Sequence, residues 1–122
     1  MDLSELAEEV EAAKNGLPDR VLENVIIALD GAETGEPVTI DALMSTDAIL
    51  HLTDLIVPGW AIQLKGRAIE PNGHWMCSLR RSETKDNDEF IGQGRAPILS
   101  NAILAATLRT LEFQMRSKQI AG

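Results

Sequence analysis

The stretch Phe90-Ile91-Gly92-Gln93-Gly94-Arg95-Ala96-Pro97, running on through Ile98-Leu99-Ser100-Asn101-Ala102-Ile103-Leu104 to Met115, decides the fold. It reads as a short strand over Glu89 to Gln93, a Gly/Pro corner, and a helix over residues 97–117. Pro97 suits the first helical turn, where a missing N–H costs nothing. Leu99, Ala102, Ile103, Ala106 and Phe113 share one face of that helix, and Leu104, Leu108, Leu111 and Met115 share another. A helix with two apolar stripes is wedged between two neighbours, here the sheet and another helix.

Upstream of it the apolar period is two. Trp60, Ile62 and Leu64 alternate with Ala61, Gln63 and Lys65, which is strand spacing with one buried face. Pro71-Asn72-Gly73 is a hairpin turn. The strand after it puts Trp75, Cys77 and Leu79 on one side and His74, Met76, Ser78 and Arg80 on the other, so the tryptophan side is the expected buried side. Arg81 through Glu89 is a charged loop.

The first half is helical. Leu3, Leu6, Ala7, Val10 and Ala13 give a helix over residues 2–14 that ends at Asn15-Gly16. Pro18-Asp19 opens a second helix, to about Leu29, and the pair forms a hairpin. Asp30 to Pro37 is a loop, and Val38-Thr39-Ile40 is read as extended. Ser45 or Thr46 caps a third helix, carried by Ile49, Leu52 and Ile56 and stopped by Pro58-Gly59. The expectation is a single α+β domain over 1–122: a helical hairpin (1–30), then a sandwich-like core over 41–118. In that core a helix, a three-stranded antiparallel sheet and a long C-terminal helix follow in order.

The net charge of −8 is unevenly spread. The first 61 residues hold 13 acidic and 2 basic side chains, a net of −11, and residues 62–122 hold 6 acidic and 9 basic, a net of +3. An acidic chain is a poor general binder of nucleic acid, because phosphate contacts need a positive field. The acidic N-terminus does not read as a signal peptide, and no apolar run approaches the ~20 residues of a membrane span. A single cysteine allows no internal disulfide, and with it a reducing cytoplasm is the expected compartment.

Catalytic chemistry is not announced. His74 and Cys77, three apart on a strand, face opposite ways, so they do not form a nucleophile–base pair. Two histidines without acidic residues at ligand spacing do not suggest a metal centre. Glu83, Asp86, Asp88 and Glu89 lack the glycine and spacing of a calcium loop. Gly92-Gln93-Gly94 lacks the lysine of a phosphate loop. The reading is a non-enzyme with no cofactor and no metal.

The string Ser45-Thr46-Asp47-Ala48-Ile49-Leu50, then Pro58-Gly59-Trp60, two tryptophan-bearing strands and Gly92-Gln93-Gly94-Arg95-Ala96-Pro97 before the small-residue helix resembles phage and prophage proteins grouped as the phage ABA-sandwich domain. The resemblance covers most of the chain. It implies a phage-related origin and brings no catalytic residue, cofactor or substrate. The element order is also similar to that of double-stranded-RNA-binding domains, but Pro97 and Ile98 stand where those domains carry a phosphate-gripping lysine pair.

The candidate interaction face is the side of the sheet away from the tryptophans: Gln63, Lys65, Arg67, Met76, Ser78 and Arg80, with Arg81 and Arg95 near its rims. Left open by the helices, it is a mildly basic platform able to add to a partner sheet, pair in a homodimer or meet an anionic surface. The competing reading is an ordinary wet face, or one covered by the acidic N-terminal hairpin. The leading functional expectation is an accessory protein acting through an unidentified protein partner. The alternative is a nucleic-acid-related module, either binding through the basic face or imitating DNA with its acidic half.

Overall fold

The computed structural model describes residues 2–14, 16–30, 38–43, 45–67, 74–81 and 91–121, with backbone alone at Arg67, His74 and 117–121. Among these residues four helices and three strands follow in the order α1 (Leu3–Ala12), α2 (Asp19–Asp30), a 3-10 turn (Asp41–Leu43), α3 (Thr46–Ile56), β1 (Ala61–Arg67), β2 (His74–Arg80), β3 (Ile91–Ala96) and α4 (Leu99–Ala121). The strands form one antiparallel sheet in the order β1-β2-β3. The α+β expectation and its helix–three strands–helix core are therefore met. The expected linker, the Pro71-Asn72-Gly73 turn and the charged loop lie largely outside the described residues.

Local chemistry sets the element ends. Asp2 caps α1 by accepting from the Ser4 amide at 2.9 Å, and Ser45, rather than Thr46, caps α3 by accepting from the Ala48 amide at 3.1 Å. Gly59, at φ +84°, makes the left-handed step that turns the chain out of α3 and into β1. Val38 to Ile40 is irregular rather than a strand. Its Val38 amide donates to the Asp30 carboxylate at 3.0 Å, and Thr39 feeds the 3-10 turn through the Ala42 amide.

α4 is the axis of the molecule. Every residue from Asn101 to Leu108 is buried, more than two full turns with no wet side. It packs on β3 and β2 with one side and on α1 and α3 with the rest. The expected wedge between sheet and helix is observed. α1 meets α4 through Leu3, Leu6, Ala7 and Val10, and α3 joins the same core through Ile49, Leu52 and Ile56. Inside it the Thr53 and Thr107 hydroxyls lie 2.8 Å apart, and Thr107 also donates to the Ile103 carbonyl at 2.9 Å.

Two expectations at the sheet are corrected. Gly92 and Gly94 are not a corner; they lie inside β3, which runs to Ala96, and α4 begins two residues beyond Pro97. The reason is close packing. A Cβ on Gly94 would strike the backbone of Ala102 and Ala106, and one on Gly92 the side chain of Thr110. Only a strand without side chains lets α4 approach this closely. The tryptophan side is also not wholly buried. Cys77 and Leu79 are fully covered, but Trp75, Ile62 and Leu64 on the same side are 39%, 38% and 38% exposed. Trp60 instead meets Phe113 edge-to-face, with ring centroids 6.5 Å apart. Met115, expected in an apolar stripe, is half exposed.

Candidate functional site: the helix-free face and the two edges of the sheet

The register places Gln63, Lys65, Met76, Ser78 and Arg80 on one face of the sheet, and Arg67 shares their parity on β1. Pairing of β2 with β3 adds Gln93, Arg95 and Ile91 to the same face. The rows run Lys65–Met76–Arg95, Gln63–Ser78–Gln93 and Ala61–Arg80–Ile91. Lys65, Gln63, Gln93 and Arg95 are exposed, and Met76, Ser78 and Arg80 are partly so. The Arg95 guanidinium reaches the Met76 sulfur at 3.5 Å, within the Lys65–Met76–Arg95 row.

Among the described elements, the helices gather on the opposite side. α4 lies over Gly92 and Gly94, α3 packs on α4, and α1 runs along α4 and the flank of β3. The acidic hairpin thus leaves the basic face uncovered. Its carboxylates, including Asp2, Glu5 and Glu9, line instead a shallow cleft of about 180 Å³ between α1 and α2 with Arg20 and Asn24. There Arg20 pairs with Glu9 at 3.3 Å, an exposed contact of little weight.

One acidic residue of α1 has a different task. Glu11 accepts two hydrogen bonds of 2.7 Å from the Arg109 guanidinium of α4 and a third, also 2.7 Å, from the Arg95 amide of β3. Arg109 in turn donates to the Gln93 carbonyl at 2.7 Å. The carboxylate and the guanidinium therefore bond the outward-facing amide and carbonyl of β3, as a fourth strand would. Partial burial acts to raise the Glu11 pKa, but the hydrogen bonds from Arg109 and the Arg95 amide, with the two positive charges, outweigh it and hold the carboxyl below its ordinary value. The edge is capped at Gln93 and Arg95.

The other edge differs. Since Gln93 and Arg95 point away from β2, the alternation of an antiparallel ladder turns Ser78 and Met76 toward β1, and turns Ile62, Leu64 and Gly66 away from β2. No described element pairs with that edge. The Trp75 ring lies over Gly66, in the space that a Cβ on Gly66 would fill.

For chemistry the findings are spare. Cys77 is buried, and burial pushes its thiol up to about 12. His51 is exposed on α3, on the side away from Ile49 and Ile56, as its spacing predicts. Among the described residues no three His, Cys, Asp or Glu side chains converge as a metal site would require, and no helix is long and apolar enough to cross a membrane. The edge clamp and the exposed Trp75 strip were missed by the sequence reading. A Glu on the first helix and an Arg on the last carry no local signal of their pairing.

Compared with known proteins, the chain matches no family model, and no curated protein or solved structure matches it.

Proposed function

We propose that this chain is a non-catalytic accessory protein of phage or prophage origin that works in the cytoplasm by docking an acidic protein surface on the helix-free face of its sheet. The origin rests on the resemblance in sequence, and the docking on one observation. In a chain of net charge −8, Lys65 and Arg95 stand exposed on one face of the sheet with Gln63 and Gln93, while the described carboxylates lie outside the strands, most of them on the helices. Such a separation steers an acidic partner to the sheet and repels it from the helices.

The test is capture from lysate with the wild-type chain and with Lys65→Glu/Arg95→Glu, each with and without nuclease. The reading expects a protein partner that survives nuclease and is lost with the double variant. A partner retained by the variant overturns it. Capture that vanishes with nuclease supports instead the nucleic-acid reading, for which the same cationic face supplies the phosphate contacts.

A further inference from the structure

We propose that the outer edge of β1 is a strand-addition site for an extended segment alternating apolar and acidic residues. The proposal rests on the docking reading above and specifies where and how the partner sits. Three features converge at this edge. The backbone groups of Ile62, Leu64 and Gly66 face outward, with no described element bonded to them. Unpaired ladder groups on an edge are the template for an added strand. On one face of that edge Ile62, Leu64 and Trp75 form a partly exposed apolar strip. On the other face the same strand carries Lys65, exposed and in register with Met76 and Arg95.

The contrast between the edges gives the argument its force. Both outer strands of a three-stranded sheet are open to unwanted pairing, and proteins usually blunt such edges with charge or cover. Here β3 is blunted by Glu11 and Arg109, bonded to the Arg95 amide and the Gln93 carbonyl. β1 has no such pair among the described residues; its margin displays Ile62 and Leu64, with the Trp75 ring of β2 lying over Gly66.

The chemistry of the occupant follows from the two faces. Side chains of an added strand alternate, so those on the α4 side meet Ile62, Leu64 and Trp75 and must be apolar. Those on the other side lie beside Lys65 and are best met by carboxylates, since opposite charges on neighbouring strands attract and like charges repel. A second copy of this chain, paired β1 to β1, brings two cationic strands together and is the poorer occupant. The outward groups from Ile62 to Gly66 engage roughly five residues of a partner, at about 3.3 Å each.

The experiment uses the whole isotope-labelled protein and three short synthetic peptides. One alternates valine and glutamate, one is the same peptide N-methylated on the residues that would face β1, and one alternates valine and lysine. Binding is followed by the Trp75 indole resonance and by amide hydrogen exchange. The proposal expects the valine–glutamate peptide to shift Trp75 and slow exchange at Ile62, Leu64 and Gly66. It expects the other two peptides to bind at least ~10-fold more weakly, the step that about 1.4 kcal/mol represents. Ile62→Lys, on an exposed side chain, should abolish binding while leaving thermal unfolding unchanged.

Equal binding of the N-methylated peptide, or exchange at these amides already slow in the free protein, overturns strand addition. So does a peptide that leaves all three amides unprotected. If Lys65→Glu/Arg95→Glu still loses its partner in those cases, docking on the face stands and the edge alone is wrong. If that variant keeps its partner, the broader reading has failed by itself.

Discussion

Gly94 of β3 lies directly beneath Ala102 of α4, so close that no Cβ fits between strand and helix backbone. Gly92, one pleat away, meets the Thr110 side chain instead. The two glycines set the distance between sheet and central helix, and they fail differently. Gly94→Ala must displace helix backbone and is expected to cost about 3 kcal/mol or more, the upper range for overpacking a core. Gly92→Ala should cost less, and Thr110→Ala should recover part of the loss. Urea unfolding of the singles and the Gly92→Ala/Thr110→Ala double gives the coupling directly, and strictly additive losses would refute the contact.

Acid should weaken the fold partly through Glu11. Its folded pKa is held below the ordinary carboxyl value that it has in the unfolded chain. The stabilisation is therefore complete above that value and is lost as pH falls through the lower folded pKa. Glu11→Gln is expected to cost about 2 kcal/mol at neutral pH, the range for charge-assisted hydrogen bonds, with the gap to wild type closing in acid. Unfolding curves for both proteins at a series of pH values check the sign. A gap that widens in acid contradicts the assignment.

The buried hydroxyls of Thr53 and Thr107 are not equivalent. Thr107 gives its proton to the Ile103 carbonyl, so Thr53 is the donor between them. Thr107→Val strands the Thr53 proton in the core and should cost about 1–3 kcal/mol. Thr53→Val leaves Thr107 with its carbonyl partner and should cost less. Thermal melts of the two variants decide it, and equal losses would remove the asymmetry.

The amide nitrogen of Asn101 is buried on α4 without a hydrogen-bond partner among the described residues. Replacing such a group by an apolar one of similar shape is close to neutral or stabilising. Asn101→Leu is expected to hold or raise the melting temperature, whereas a clear loss would mean that the side-chain oxygen carries an essential bond.

Cys77 should resist alkylation in the native state, because it is buried and its thiolate is disfavoured at neutral pH. Its labelling by a thiol reagent is expected to track global unfolding across a denaturant series. Fast labelling without denaturant would mean that β2 opens locally.

Much of this architecture is legible along the chain. Three-and-four spacing marks α1, α2 and α3, and the two-sided apolar pattern from Leu99 to Leu111 marks a helix with neighbours on both sides. Alternation also sorts Gln63, Lys65, Met76, Ser78 and Arg80 onto one face. What alternation does not carry is the width of the cover. A helix about 10 Å across spans two strands spaced about 4.8 Å apart, and not three. α4 sits over β2 and β3, so Ile62, Leu64 and Trp75 keep the parity of a core face and remain wet. The Gly-x-Gly misreading has the same root. Glycine marks both a turn and a close approach of backbones, and the distinction exists only once a second element is overhead.

Glu11 and Arg109 are separated by 98 positions in the chain. The groups that cap the β3 edge are thus delivered one before the three strands and the other after them. β1, β2 and β3 all leave the ribosome before Arg109 does, and for that interval the sheet has two bare margins rather than one. Contacts of such long range form late and slowly. A nascent chain that has not yet completed α4 therefore carries strands with both margins open to pairing.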